Sequence, residues 1–405
     1  MVSETVRMPS SKSGSRLLII IGTVAALAIF TSTMSKNPAL PLLAQSIGAD
    51  AAQVGLISAI SPIPGILISS FAGAYSDKHG RNKVALASLL IFATAPFAYL
   101  FVTEIWQLAI IRFYHGFATA IFMPVAMAAI ADHYPSAVRG QALGTYSSFT
   151  MVGRFSAPFA GGALIYFANF GLLYLTCGIT AAIALLLALM VRWDEPSAKV
   201  IAEKPSGSIL MALGDVVKDR GILLTSSMEG IQYFAMGAFE AFLPLYCLSL
   251  GLNGLEIGAI MGVQVISMLL AKPFMGRFSD KRGRKPSIIV GLLAGFVVIL
   301  MMPFSIDPVL LAVFSILFGI TVAMVTASTS ALVCEMAGCS AHGSAIGVLS
   351  SIMDIGHSLG PLITGAVVTL VSFQLGFGLA AVLLLIGAFA FYLGMRRIDE
   401  GPNAY

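Results

Sequence analysis

Charged residues are scarce in this 405-residue chain: aspartate, glutamate, lysine and arginine together make up 10% of it. A soluble domain of average composition carries roughly one quarter charged residues, so a chain this long could not cover its surface with so few. Hydrophobic residues make up 58% of the chain, and the mean hydropathy is +0.93. The composition excludes a soluble enzyme, a nucleic-acid-binding protein and a disordered chain, and it predicts a protein that is solvated by lipid.

Cysteine is also rare, and the four cysteines do not have the spacing of a metal site. We therefore expect no disulfide and no bound metal. The chain lacks a nucleotide-binding or catalytic motif, so we expect neither an enzyme nor a protein with a cofactor. The cysteines are Cys177, Cys247, Cys334 and Cys339, and the last two fall in a predicted cytoplasmic loop.

Long apolar runs are abundant, and a run of about 20 residues can cross the hydrocarbon core as a helix. Twelve such spans are predicted, which leaves no room for a soluble domain and makes the fold an all-α membrane protein. The first span is too long for a signal peptide and lacks a cleavage site, so we expect it to be retained. The predicted spans are approximately 17–45, 51–73, 83–103, 106–131, 140–168, 171–191, 221–249, 254–276, 286–304, 308–332, 343–371 and 374–395.

Basic residues flank the predicted spans on one side only. With the N-terminus in the cytoplasm, the cytoplasmic segments contain lysine and arginine and no outside loop contains either. This distribution follows the positive-inside rule, so the net charge of +4 reflects topology rather than an anionic partner. We expect a multi-pass protein of the cell membrane with both termini in the cytoplasm.

The two halves of the sequence are related by an internal repeat. The segment GAYSDKHGRNK, which begins at Gly73, recurs as GRFSDKRGRKP at Gly276, and the same offset of 203 positions relates Gly48 to Gly251. An offset that covers half the chain indicates a duplication of six spans, and parallel six-span repeats are an architecture of secondary transporters. The predicted units are six-helix bundles at 1–191 and 221–405 and a cytoplasmic linker at 192–220.

A loop motif occurs at the same place in each half. Its first glycine allows two helices to approach closely, and its second glycine allows a tight turn between spans. Its aspartate ends a helix on the cytoplasmic side, where the N-terminus of another helix favours a carboxylate. The motif residues are Gly73, Asp77, Lys78, Gly80 and Arg81 in the first copy and Gly276, Asp280, Lys281, Gly283 and Arg284 in the second.

On these two loop copies, the chain resembles the major facilitator superfamily over its whole length. The resemblance implies the major facilitator fold, in which twelve helices form two pseudo-symmetric six-helix bundles. In that family the aspartate of the first loop helps to hold the cytoplasmic side shut in the outward-open state. The resemblance implies this latch role for Asp77, with Arg81 and Arg139 as its expected charge partners.

The fifth span carries a pattern of small residues that resembles the antiporter motif of the drug/proton branch of the same family. Ala157 stands where that family usually has glycine. Small residues let membrane helices pack closely and proline bends a helix, so a packing face with no bearing on transport direction is the alternative interpretation. The motif residues are Gly144, Gly153, Pro158, Gly161 and Gly162.

Ionisable side chains inside membrane spans are costly and usually functional. Arg112 breaks the repeat, because Ser315 is its equivalent. It resembles the family's arginine of the central cavity and of proton coupling, although an arginine paired only for structure is the alternative. Glu229 is the first choice for a proton carrier and Asp354 is the second. The other candidates for proton coupling or the substrate cavity are His115, Arg154 and His357, and the two histidines fit a neutral hydrogen-bonding role equally well.

Lys36 and Glu240 predict an outer gate. Each lies about 20 residues into its span, the first and the seventh, so both lie near the outer side. The offset of 203 pairs Asn37 with Glu240, which puts the two charges at adjacent levels on symmetry-related helices. We expect a salt bridge that forms in the inward-open state and breaks in the outward-open state. The alternative is that both side chains merely reach outside water.

These features predict a secondary active transporter that exports small organic compounds, drug-like or metabolite, in exchange for protons by alternating access. Membrane carboxylates serve either direction, so a proton-coupled symporter that imports a small metabolite is an alternative, and a lipid or amphiphile flippase on the same fold is another. The expected partners are the small organic substrate and the lipid bilayer, with the proton as coupling ion, no cofactor and no nucleic acid. We expect the chain to act as a monomer.

Overall fold

Helices account for almost every residue that the computed structural model describes, which are residues 11–190 and 219–399. Within these ranges there are thirteen α-helices, one short 3-10 helix and no β-strand. The all-α fold is therefore confirmed. Nearly all of the predicted linker 192–220 lies outside the described residues.

The helices divide into two sets that follow the sequence repeat. The first set is α1 Ser11–Met34, α2 Ala39–Ser46, α3 Ala51–Ile60, α4 Ile63–His79, α5 Arg81–Tyr99, α6 Ile105–His133, α7 Ser136–Phe167 and α8 Phe170–Leu189. The second set is α9 Arg220–Ser249, α10 Gly254–Arg282, α11 Arg284–Met301, the 3-10 helix Met302–Phe304, α12 Pro308–Leu370 and α13 Phe373–Asp399.

The first two predicted spans are each made of two helices. Pro38 stands before α2 and Pro62 stands before α4. A proline has no backbone N–H and cannot continue the hydrogen bonding of a helix that precedes it. Each proline therefore marks a break within one membrane crossing rather than the end of a span.

The tight turns predicted at the loop motif are present. Gly80 and Gly283 have φ angles of 94° and 96°, a left-handed conformation that glycine adopts without steric cost. Each of these glycines separates two long helices by a single residue, α4 from α5 and α10 from α11. The two halves thus repeat the same local backbone at positions 203 residues apart.

Eleven described segments have the length and composition to cross a membrane. Helix α7, which corresponds to the predicted fifth span, is 32 residues long but is not one of them. Its sequence includes Arg139, Gln141 and Arg154 together with several serines and glycines, which lower its hydropathy. The chain is a multi-pass helical membrane protein.

The tenth and eleventh predicted spans both lie in α12, which is 63 residues long and also includes the residues between the two spans. A straight helix of that length would measure about 95 Å, three times the hydrocarbon core. Helix α12 instead reverses direction. Thr329 contacts Glu229 while Gly356 packs on the neighbouring Gly230, although a straight helix would hold Thr329 and Gly356 about 40 Å apart. The two crossings are Pro308–Ala337 and Ser344–Leu370.

Candidate functional site

A three-residue polar cluster joins the two halves where α1 ends. Lys36 Nζ lies 2.6 Å from Glu240 Oε2, and His357 Nε2 lies 3.1 Å from the same oxygen. Lys36 Nζ and His357 Nε2 are 3.5 Å apart. The three side chains come from the turn after α1, from α9 and from α12, so the cluster exists only when the halves meet. We call this end of the molecule the Lys36 end.

Lys36 and Glu240 form the expected ion pair, with His357 as a third member of the cluster, and the role of this pair as an outer gate stays a prediction. The sequence had placed His357 with the proton and substrate residues, because it lies one helical turn from Asp354. The lysine and glutamate side chains are 23% and 15% exposed. The cavity beside them measures about 10 Å³, which holds at most one water molecule. The two halves are therefore in close contact here.

Two symmetry-related glycine pairs bring the halves together at the Lys36 end. A Cβ at Gly162 of α7 would lie 2.7 Å from the Cα of Gly258 in α10. A Cβ at Gly365 of α12 would lie 3.2 Å from the Cα of Gly55 in α3. The offset of 203 converts one pair into the other. Because a backbone atom occupies the place of each missing side chain, any larger residue would separate the helices.

The remaining residues of the glycine motif in α7 have different surroundings. A Cβ at Gly153 would overlap the carbonyl oxygen of Ala26 in α1, and one at Gly161 would lie 3.2 Å from the side chain of Met34. Gly144 has no atom within 4 Å of that position. Pro158 lies inside α7. The motif is thus a packing face toward α1 and, through Gly162, toward the second half.

Arg112 lies inside the first half, where it is only 3% exposed. Its Nη2 donates to Ser61 Oγ at 2.5 Å and its Nη1 donates to the Tyr99 hydroxyl at 3.4 Å. Among the described residues Arg112 has no carboxylate partner, and its Nε has no hydrogen-bond acceptor. The buried guanidinium of Arg112 therefore has only the neutral hydroxyl groups of Ser61 and Tyr99 as hydrogen-bond partners among the described residues. Neither hydroxyl partner had a signal in the sequence.

His115 lies one turn beyond Arg112 and is 2% exposed. Its ring meets Phe92 edge to face, with ring centroids 5.9 Å apart. Neither ring nitrogen has a hydrogen-bond partner among the described residues. His115 therefore lies in an aromatic pocket next to the Arg112 cation. No described residue accepts a hydrogen bond from its ring.

Glu229 lies within the second half rather than between the halves. It is 4% exposed, and Thr329 of α12 donates a hydrogen bond to its carboxylate. Thr329 also bonds the carbonyl of Val325 one turn earlier, at 2.9 Å. Packing between α9 and α12 therefore encloses Glu229.

Asp354 lies where α12 faces the first half. Its Oδ2 would be 3.5 Å from a Cβ placed on Gly65 of α4. Asp354 is half-buried and forms no hydrogen bond or ion pair with the residues that the structure describes. Arg154 of α7 is exposed. Asp354, the second candidate for the proton carrier, therefore lies at the contact between the two halves, whereas Glu229 does not.

The loop motif builds the same ion-pair cluster twice, at the end of the bundle opposite the Lys36 end. Arg81 pairs with Asp77, donates to Ser76 Oγ at 2.5 Å, and pairs with Asp132 at 3.0 Å. In the second half Arg284 pairs with Asp280, donates to Ser279 Oγ at 2.6 Å, and pairs with Glu335 at 2.9 Å. We call this the Arg81 end.

Asp132 and Glu335 were missed by the sequence reasoning, although the offset of 203 aligns one acid with the other. Arg139, an expected partner of Asp77, instead donates to the carbonyl of Tyr134 at 3.4 Å. Gly276 has no atom within 4 Å of where a Cβ would be, so the close helix contact expected there is not formed. Gly73 lies within α4.

Two proteins of similar sequence have names that refer to multidrug resistance. The Multi-drug resistance efflux pump PmrA homolog of Lactococcus lactis subsp. lactis (strain IL1403) is 26% identical over 386 residues, which cover 90% of this chain and 92% of that one. The Multidrug resistance protein MdtG of Citrobacter koseri is 26% identical over 391 residues, which cover 93% and 95% of the two chains.

Solved structures with the same fold are transporters. A bacterial homologue of the human lysosomal transporter Spinster, in an inward-facing and unoccupied conformation, superposes with a TM-score of 0.83 at 16% identity and covers 97% of this chain and 100% of that one. The nucleoside transporter NupG superposes with a TM-score of 0.76 at 18% identity, over 94% and 99% of the two chains. The family model of the Major Facilitator Superfamily matches residues 22–263 and 225–404. Because these matches extend over almost the whole chain, the protein belongs to the Major Facilitator Superfamily, a family of transporters.

Proposed function

We propose that this protein exports small organic compounds, drug-like or metabolite, in exchange for protons by alternating access. The observation that carries this proposal is the cluster of Lys36, Glu240 and His357, which holds the two halves together at one end. A contact made only of ionisable side chains from both halves can break when the halves rock, and its strength depends on bound protons. The names of the similar efflux proteins support export.

The Arg81 end lies in the cytoplasm in this proposal. The loops at that end carry the basic residues, and lysine and arginine are retained on the cytoplasmic side of bilayers. The Lys36 end then faces the outside, and the two termini lie inside. With the halves joined at the Lys36 end, the conformation corresponds to an inward-facing state of a transporter in the cell membrane.

Asp354 fits the role of proton carrier better than Glu229 does. A coupling acid must exchange its proton with water on one side and release it on the other, so it has to lie on the path between the halves. Asp354 faces the first half and lacks a protein partner among the described residues, whereas Glu229 is enclosed by α9 and α12 and bonded to Thr329. Asp354 also lies one turn from His357, so its proton can influence the gate cluster.

Transport into liposomes of purified protein tests the proposal, with ethidium as the first fluorescent probe and a panel of neutral and anionic compounds after it. An acidic lumen should drive uphill uptake of the probe, because an antiporter exchanges luminal protons for external substrate. Uptake driven only by an acidic exterior would mean symport and would contradict the proposal. Movement of labelled lipid between leaflets without any proton dependence would instead indicate a flippase.

A further inference from the structure

A second cavity of about 780 Å³ lies away from the gate, at the Arg81 end. Its lining residues come from α4, α5 and α6, all in the first half. This volume is in the range of binding sites for small organic ligands. Because all of its described lining residues belong to the first half, we take the cavity to be separate from the proposed transport path between the halves.

The cavity has a cationic mouth and an apolar interior. Lys78 lies in the last turn of α4 and Lys83 in the first turn of α5, so both lie where the membrane span ends. Ile68 lies ten residues before Lys78, about 15 Å deeper along α4, and Ile121 lies twelve residues before the end of α6, about 18 Å deep. Ala87 lines the wall one turn inside Lys83. None of the lining residues that the structure describes is acidic.

The two lysines are available to a ligand. Neither Lys78 nor Lys83 forms a hydrogen bond or an ion pair with any residue in the described ranges 11–190 and 219–399. Arg81, in the same turn, is by contrast held by Asp77, Asp132 and Ser76. The turn therefore contains one cation, Arg81, that is paired within the protein. Its two lysines, Lys78 and Lys83, are left to bind an anionic group of a ligand.

We propose that this cavity binds an anionic phospholipid, with the phosphate on Lys78 and Lys83 and an acyl chain between α4, α5 and α6. The charge at the mouth lies at the level of lipid headgroups, and the apolar walls extend from there toward the middle of the span. Basic pockets between helices on the cytoplasmic side recognise anionic headgroups. A phospholipid is also the amphiphile that is always present at this depth.

The second half supplies a matched control for this site. The offset of 203 aligns Lys78 with Lys281, but it aligns Lys83 with Pro286. The second half therefore keeps a lysine at the first of the two positions, whereas its other lysine, Lys285, lies one residue before the position that aligns with Lys83. If headgroup attraction to any exposed lysine were the whole cause, then Lys78→Gln and Lys281→Gln would weaken lipid binding equally.

Native mass spectrometry of the full-length, delipidated protein tests this proposal, with phosphatidylglycerol as the anionic lipid and phosphatidylcholine as the zwitterionic one. We expect tighter binding of phosphatidylglycerol, about fivefold weaker binding in each of Lys78→Gln and Lys83→Gln, and no change in Lys281→Gln. Ala87→Phe, which fills the apolar wall and keeps both lysines, should also weaken phosphatidylglycerol binding. Thermal unfolding in detergent identifies any variant that has lost its fold.

Four results would overturn the proposal. Unchanged phosphatidylglycerol binding in the folded Lys78→Gln and Lys83→Gln variants would remove the site, and an equal loss in Lys281→Gln would reduce it to general surface charge. Glycerol 3-phosphate that competes as strongly as the lipid would indicate a site for a free phosphate. Tighter binding of dodecyl phosphate than of phosphatidylglycerol would indicate a single-chain anion as the occupant.

Discussion

Lys36 Nζ lies 2.6 Å from Glu240 Oε2, so one ion pair connects the turn after α1 with α9. The repeat aligns Lys36 with Phe239 and Asn37 with Glu240. The two charges are thus not at equivalent positions of the repeat, because each aligns with a residue next to the other charge. The repeat therefore does not generate a second copy of this ion pair, and this single pair joins the two halves.

Reversing one charge of this pair should open the Lys36 end. In Glu240→Lys two cations face each other, so we expect the ratio of open to closed molecules at this end to rise about fivefold to tenfold, as for a loss of about 1 kcal/mol. Ser58, which lines the small cavity beside the pair, is buried. A Ser58→Cys reporter should then react faster with a membrane-impermeant maleimide.

The double variant Lys36→Glu with Glu240→Lys is the control for that prediction. It restores an opposite-charge pair in the reverse orientation, so maleimide labelling should return toward the rate of the reporter alone. An open state that persists in the double variant, or labelling that stays unchanged in Glu240→Lys, would contradict the gate.

Adding one methyl group at Gly55 should also separate the halves. A Cβ there would overlap the carbonyl oxygen of Pro361, and overpacking of this kind costs about 1–3 kcal/mol. We expect Gly55→Ala to lower the unfolding temperature and to increase labelling of the Ser58→Cys reporter. Gly276→Ala is the matched control, because Gly276 is also helical and has no atom within 4 Å of the new Cβ. Equal effects of the two substitutions would rule out the interface as the cause.

Proton coupling should depend on Asp354 more than on Glu229. Asp354→Asn removes the titratable group on the path between the halves, so uphill uptake driven by a proton gradient should be lost while exchange of substrate without a gradient continues. Glu229→Gln keeps an oxygen that can accept the hydrogen bond from Thr329, so its folding and its coupling should be retained. Coupling that is lost in Glu229→Gln but kept in Asp354→Asn would assign the proton to Glu229 instead.

Neutralising Asp77 should shift the protein away from the outward-open state. The carboxylate is 58% exposed although it is paired with Arg81, so it can still meet a helix N-terminus when the Arg81 end closes. Such a contact contributes up to about 1 kcal/mol, so Asp77→Asn should lower outward-open labelling of the Ser58→Cys reporter several-fold. Asp280→Asn breaks the equivalent pair in the second half. The latch proposal for Asp77 fails if Asp77→Asn leaves labelling unchanged.

Arg112 should be required for transport through its charge rather than through its bond to Ser61. Arg112→Ala removes a buried cation and leaves two hydroxyl groups without their donor, so we expect loss of uphill transport. Ser61→Ala removes one acceptor and keeps the cation, so transport should be reduced but not lost, by about tenfold to 150-fold, as for the loss of one hydrogen bond to a charged group. Wild-type transport by folded Arg112→Ala would give the arginine a purely structural role.

The sequence by itself determined the features that depend on local patterns. Apolar runs of membrane length predicted the crossings, and the offset of 203 predicted two equivalent halves. The glycines of the loop motif predicted the turns at Gly80 and Gly283, because a left-handed residue between two helices requires glycine wherever it occurs. The levels of Lys36 and Glu240 along their helices followed from residue counting, since an α-helix rises 1.5 Å per residue.

Only the tertiary structure decided which polar side chains meet. Successive residues of a helix point about 100° apart, so the face that reaches a neighbour depends on how each helix is rotated and packed. That rotation enclosed Glu229 with Thr329, turned Asp354 toward Gly65, and brought His357 to the Lys36 and Glu240 pair. It depends on contacts such as Gly55 against Gly365, between residues far apart in the chain, and a single sequence carries no local signal for such contacts.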